Sequence, residues 1–203
     1  MKFVFRADAS FTIGAGHVSR CLTLAETLRD AGHDVTFLSR EFDGNMIGRL
    51  RDAGMGVIAM RRPNPEHPIS GDMYAQMLGV SVEDDAAETL SVISGMDVDW
   101  VVADHYAINR QWESAVRGAT KRLMIIDDLA NRPHDCEILL DQNLFFAGPS
   151  RYSGLVSERC DLLTGPDYAL INKEYVRRRG DPLRDRSVLK RILLYFGGSN
   201  TAQ

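Results

Sequence analysis

The stretch "KFVFRADASFTIGAGHVSRCLTLAETLRDAG", residues 2–32, decides the fold. It opens with a short apolar run over 2–7, passes Asp8, and enters a loop with the spacing Gly14-x-Gly16. From His17 the period changes. Val18, Cys21, Leu22, Ala25 and Leu28 fall on one helical stripe, which Gly32 ends. A strand, a glycine turn and a helix in that order begin a parallel α/β sheet.

The rest of the chain continues the alternation. Strand candidates lie at 2–7, 34–39, 56–60, 99–104, 122–128, 137–141 and 191–196. Their brevity, turn boundaries and β-branched and aromatic content suit strands buried on both faces. Helical patterns fill 17–31, 42–53, 82–95 and 109–118. The predicted fold is α/β: a Rossmann-like, mostly parallel sheet with helices on both faces. Two segments break the rhythm. Residues 61–72 hold three prolines and read as an irregular loop, with His67 solvated between Glu66 and Pro68. Residues 177–186 are charged and carry Gly180 and Pro182; their acidic members favour a linker over a basic nucleic-acid patch.

Beyond them, "KRILLYFGGSN" is a strand candidate running into a double-glycine turn, and three more residues end the chain. The expected organisation is a first domain over 1–176, a linker over 177–188, and the opening of a second domain over 189–203. There is no internal repeat and no low-complexity tract.

Composition sets outer bounds. The chain has 203 residues, 44% hydrophobic and 26% charged, as in a globular protein. A net charge of -4 gives no support for a broad nucleic-acid surface. No apolar run approaches the roughly 20 residues of a membrane span, and the start "MKFVFRAD" lacks a cleavable signal pattern. The three cysteines include no C-x-x-C pair, which argues against a disulfide framework and for a cytoplasmic setting. Cys21 and Cys136 lie among apolar residues and read as small core side chains.

In open α/β sheets, ligands bind beyond the carboxyl ends of the strands. The first run leads to Arg6, Asp8 and the glycine loop; others end in Asp104-His105-Tyr106, Asp127-Asp128, Asp141-Gln142-Asn143 and Gly197-Gly198-Ser199. Their convergence on one edge marks the candidate site. The glycine loop is not a dinucleotide fingerprint. Ser19 stands where a third glycine is required, and Ser39-Arg40 close the second strand where an acid is required. No P-loop or serine-hydrolase elbow occurs either.

His17 falls in the first turn of its helix. There the positive end of the helix dipole disfavours a second positive charge, so a neutral imidazole able to accept a proton is expected. Gly14 and Gly16 let a ligand approach the backbone, and free N–H groups at the helix start offer donors to an oxyanion. A histidine that merely caps the helix is the alternative. Asp104-His105 and His134-Asp135-Cys136 lack structural-zinc spacing. Asp127-Asp128 suits either a divalent cation with phosphates or a turn cap. No tightly bound metal and no cofactor are expected.

At this point several separated blocks carry a family resemblance: "FRADASFTIGAGHVSRCLTLAETL", "VVADHYAI", "MIIDDLANRPHDCEILLDQN", "CDLLTGPDYALINKEY" and "LLYFGGSN". Together they resemble the UDP-2,4-diacetamido-2,4,6-trideoxy-β-L-altropyranose hydrolases of pseudaminic acid biosynthesis, the PseG type. That family is similar to two-domain GT-B glycosyltransferases such as MurG, in which the amino-terminal domain serves the acceptor and the second domain binds most of the UDP.

The resemblance implies metal-free hydrolysis of the anomeric C–O bond of a UDP-sugar, with inversion, by a protein monomeric at full length. It implies His17 as catalytic base with Tyr106 beside it. Gly197, Gly198 and Ser199 would belong to the nucleotide turn. Arg6, Asp8, Gly14, Gly16, Arg20, Asp104, His105, Asp128, Asn143 and Tyr168 are the candidate sugar-binding residues. Two other readings stay open: a glycosyltransferase using the same histidine on an acceptor hydroxyl, and a non-catalytic sugar-binding module.

Overall fold

Strand β1 (Lys2–Ala7) is buried on both faces and lies at the centre of the sheet. The computed structural model describes residues 1–64, 66, 69, 71–180, 187–189 and 191–194. After β1 come α1 (Gly16–Asp30), β2 (Asp34–Arg40), α2 (Ile47–Asp52), β3 (Gly56–Met60), α3 (Met73–Leu78) and α4 (Val82–Ile93). Next are β4 (Val98–Asp104), α5 (Arg110–Val116), β5 (Thr120–Ile126), β6 (Ile138–Asp141), β7 (Asp161–Thr164) and α6 (Lys173–Arg177). The sheet order is β3-β2-β1-β4-β5-β6-β7, and every neighbouring pair is parallel.

The two faces of the sheet make two cores. On one, Phe3, Phe5 and Val102 meet Val18, Cys21, Leu22 and Ala25 of α1 and Leu50 of α2. On the other, Val4, Val101 and Leu123 meet Ala86 and Ile93 of α4 and Trp112 and Val116 of α5. Burial on both sides is why the strands read as continuous apolar runs. Asp72, Ser81 and Asn109 cap α3, α4 and α5 by accepting backbone N–H bonds. In contrast, no side chain caps α1.

The predicted strands at 2–7, 34–39, 56–60, 99–104, 122–128 and 137–141 all form, with ends shifted by up to two residues. The helix expected over 42–53 shrinks to α2, because 41–46 turn back beneath the glycine loop through Phe11 N donating to Asp43 O at 3.1 Å. Strand β7 and the short helices α3 and α6 have no counterpart in the pattern reading.

The strand expected over 191–196 is corrected over its described part. Residues 191–194 are not in a strand, and Leu193 is 92% exposed. A strand needs an edge to pair with, and among the described residues neither β3 nor β7 takes one there. The rest of that run, His67, residues 181–186 of the linker and the Gly197-Gly198-Ser199 turn lie outside the described residues.

Candidate functional site

The sheet order reverses at β1. The chain first builds outward through β2 and β3, then crosses back to place β4 on the other side of β1. This leaves a crevice at the carboxyl ends of β1 and β4, the position at which open α/β sheets bind ligands. The register pairs Ala7 with Asp104, so the loop after β1 and the last residue of β4 face the same opening.

That loop is shaped by its own backbone. The Ser10 hydroxyl accepts from Thr12 N and Ile13 N, and Gly14 N donates to Ser10 O at 2.8 Å. Gly14 sits at φ 81°, which favours glycine. A Cβ placed on Gly16 would meet nothing within 4 Å, so the backbone there is open to a ligand. Gly16 and His17 then start α1.

His17 is 6% exposed and its Nδ1 lies 2.6 Å from Asp104 Oδ1. Asp104 is fully buried. Burial alone would raise its carboxyl, but His17 and Arg20 outweigh burial and hold it well below the usual carboxylate range. An ionised carboxylate only accepts, so Nδ1–H of His17 must donate to it. The longer approach of Arg20 Nη2 to Nδ1, at 3.4 Å, is secondary to this bond. In the neutral ring the lone pair then resides on Nε2. Among the described residues that atom has no hydrogen-bond partner, and His17 lines a cleft.

Arg20, one turn further along α1, grips the same carboxylate through Nε to Oδ2 at 2.6 Å and Nη2 to Oδ1 at 2.7 Å. Its third nitrogen reaches Asp128 Oδ2 at 3.2 Å, an oxygen that also accepts from Asn143 Nδ2 at 3.1 Å. One guanidinium thus joins the ends of β4, β5 and β6. Tyr106 stands edge-on to the His17 ring at 4.6 Å, with Tyr74 edge-on to Tyr106 at 5.2 Å. Burial and the Asp128 carboxylate push the Tyr106 phenol up, so it stays a hydrogen-bond donor at neutral pH.

Of these groups His17, Arg20 and Tyr106, together with Gly16, line a cleft of about 580 Å³, whereas Asp104, Asp128 and Asn143 are outside its lining. Its remaining walls include Thr23, Asn172 and Tyr175, which the strand-end reading did not name, and Gln142, which it named among the strand ends without giving it a role. Gln142 follows Asp141 at the end of β6, so its position was visible in the pattern. Asn172 and Tyr175 belong to α6 and its cap, held against α1 by Lys173 Nζ on Asp30 at 2.6 Å, a pairing invisible in the sequence.

Other candidates sit elsewhere. Arg6 and Asp8 are fully buried and line no part of the cleft. Arg6 clasps Asp85 of α4 through Nε at 3.0 Å and Nη2 at 2.5 Å, while Asp85 also accepts from Arg40 Nη2 and Trp112 Nε1. Asp8 accepts from Arg40 N at 2.7 Å and pairs with Arg6 Nη1. The strand-end position that drew attention to them instead serves to fasten α4 to the sheet. His105 is 4% exposed; its Nδ1 accepts from Ala107 N, and its Nε2 is sealed without a partner. Burial, foremost, holds it down to about 4, so it is neutral at physiological pH. Tyr168 is 45% exposed and outside the cleft lining.

The polar clusters considered for metal point apart. His134 Nδ1 pairs with Glu113, Asp135 with Arg117, and Cys136 with Cys160. Asp127 caps the turn after β5 by accepting from Ala130 N, while Asp128 faces Arg20. Among the described residues no group of three or more His, Cys, Asp or Glu side chains is arranged to hold a metal ion. Nor is any helix among them long and apolar enough to cross a membrane.

The fold and crevice define a parallel, doubly wound α/β protein with a histidine–aspartate pair at its switch point. A scan against protein-family models finds no match. The chain is similar to the UDP-2,4-diacetamido-2,4,6-trideoxy-beta-L-altropyranose hydrolase of Campylobacter jejuni, 29% identical over 175 residues covering 86% of this chain and 53% of that protein. It is also similar to the uncharacterized protein MJ1062 of Methanocaldococcus jannaschii, 23% identical over 98% of this chain and 37% of that protein. The chain therefore spans about half the length of the first relative and under two fifths of the second. A solved structure, Acinetobacter baumannii MurG, superposes with a TM-score of 0.46 at 16% identity, over 77% of this chain and 39% of that one.

Proposed function

We propose that this chain is the acceptor-side part of a nucleotide-sugar hydrolase of GT-B architecture. It would release UDP and the free sugar from a UDP-diacetamido-trideoxy-hexose of the kind used in pseudaminic acid biosynthesis. The observation that carries the reading is the His17–Asp104 pair, whose Nε2 has no partner among the described residues, beside an open cleft. The similarity to the Campylobacter enzyme supports the choice of substrate class.

In this reading His17 Nε2 accepts a proton from water as the water oxygen bonds to the anomeric carbon. The bond from that carbon to the diphosphate oxygen breaks on the opposite face, and UDP leaves with the electron pair. Asp104 keeps the base in the right tautomer and stabilises the imidazolium that forms. Arg20 and Tyr106 of the cleft lining, with Asp128 hydrogen-bonded to Arg20 and Asn143 to Asp128, would meet sugar hydroxyl or acetamido groups. UDP itself would be held by a second domain to which Gly197, Gly198 and Ser199 belong. The protein would act in the cytoplasm as a monomer.

The test is UDP release from a panel of UDP-diacetamido sugars, without acceptor, by the protein expressed from its complete reading frame. Release from at least one of them is expected. Release only when an acceptor alcohol is added would favour a glycosyltransferase that uses the same histidine. No release, together with binding of the free sugar in a calorimeter, would leave a sugar-binding module.

A further inference from the structure

Cys136 and Cys160 lie far apart in the chain but side by side at the amino ends of β6 and β7. The backbone bond from Asp161 N to Glu137 O, at 2.8 Å, locks the two segments together here. The two sulfurs are 3.7 Å apart and both thiols are free. Their surroundings differ. Cys136 is 5% exposed within the core beneath α5, whereas Cys160 is only partly buried and can be reached from solvent.

We propose that Cys136 and Cys160 form a two-thiol oxidation site for peroxides, in which Cys160 is the attacked sulfur and Cys136 resolves it to a disulfide joining β6 to β7.

The steps balance without any group from the rest of the protein. The Cys160 thiolate attacks one oxygen of hydrogen peroxide, the O–O bond breaks, and hydroxide leaves; Cys160 becomes a sulfenic acid and the peroxide is reduced. The Cys136 sulfur then attacks the Cys160 sulfur, the S–O bond breaks, and the hydroxyl leaves as water with the Cys136 proton. Closing the bond requires the sulfurs to approach from 3.7 Å to about 2.05 Å.

The roles follow from the local fields. The hydrogen bond from Cys136 lowers the Cys160 thiol from its ordinary value, and burial opposes this without cancelling it. The same bond and burial push Cys136 up, so it remains the protonated partner. Cys21, the third cysteine, is fully buried; burial, and next Asp104, push its thiol up, so it stays out of the reaction. The bridge would enclose residues 137–159, the segment that carries Asp141 and Asn143, and would tie that wall of the crevice to β7. This inference stands independently of the catalytic reading.

The test uses the native protein from the complete reading frame, treated with a small excess of hydrogen peroxide, alkylated in denaturant, digested and weighed. The expected product is one peptide pair joined through Cys136 and Cys160, lighter by two hydrogens and separated by reductant, with Cys21 alkylated. In Cys136→Ala, dimedone should label Cys160 instead. A wild-type Cys160 that accumulates dimedone adduct while Cys136 stays alkylated overturns the proposal. So does a wild-type protein in which neither thiol reacts before unfolding.

Discussion

His17 Nδ1 lies 2.6 Å from Asp104 Oδ1, and the same carboxylate takes two nitrogens of Arg20. The imidazole is therefore oriented by an anion whose charge is already shared with a guanidinium. This arrangement fixes the tautomer firmly while tempering the field on the ring. It sets what each substitution should do.

Replacing His17 with Asn removes the proposed base and leaves the Arg20–Asp104 pair whole. UDP release should fall by about 10²–10⁴-fold while the thermal unfolding midpoint stays near wild type. Turnover within about threefold of wild type would remove the general-base assignment. Tyr106→Phe should cost less, because it deletes a hydroxyl near Asp128 and keeps the ring edge against His17.

Asp104→Asn affects both catalysis and stability. The amide no longer compels Nδ1–H, and Arg20, whose side chain is 13% exposed, loses its nearest counter-charge. Activity should drop on the order of 10²-fold or more, mainly in kcat. Denaturant unfolding should show a loss of about 3 kcal/mol. A variant as stable as wild type would mean that Asp104 does not hold Arg20 in solution.

His105 supplies a pH dependence of stability. Its folded-state value of about 4 lies below the ordinary 6.5, so between those values the unfolded chain binds more protons. Stability should therefore fall as pH drops through this window, by about 3 kcal/mol in total from this one group. Urea unfolding at several pH values, for wild type and His105→Gln, measures it. The variant should show a shallower slope between pH 4 and 6.5; parallel curves would contradict the buried neutral ring.

The Arg6–Asp85–Arg40 cluster should behave as structure and not as substrate recognition. Asp85→Asn leaves two buried guanidiniums short of charge and should destabilise the fold by about 3–5 kcal/mol. The KM of whatever protein remains folded should be unchanged. A raised KM at unchanged stability would return Arg6 and Asp8 to the candidate site.

Much of this architecture was visible in residue pattern. Strands β1, β2, β4, β5 and β6 stand out because the inner part of each is buried on both faces and so must be apolar there, while the half-exposed edge strand β3 stands out by its apolar composition alone. Strand β7 escaped because it is a four-residue edge whose "DLLT" is only half-buried. α3 and α6 escaped because helices of six and five residues are too short to show a period. The same limit misled at 191–194, where an apolar run with strand composition finds no edge among the described residues.

At the candidate site, the strand ends drew attention to Tyr106, Asp104 and Asp128, and the glycine loop to His17, because parallel topology sends all carboxyl ends to one edge. This did not separate those that face the crevice from those that turn into the protein. Arg6 and Asp8 occupy the same edge as Asp104, but Asp85, 79 positions from Arg6, draws Arg6 into the core. His17 and Asp104 are 87 positions apart, and nothing local joins them.

Periodicity records whether a residue is buried, since burial repeats with each strand or helix. Which charge meets which depends on strand order and register, and these exist only once the sheet has formed. The amino-acid order thus established a parallel α/β sheet and the polar edge where a ligand would bind. Folding assigned that edge its parts, making His17 and Arg20, held by the buried Asp104, a wall of the cleft and Arg6–Asp85–Arg40 the buried fastening of α4.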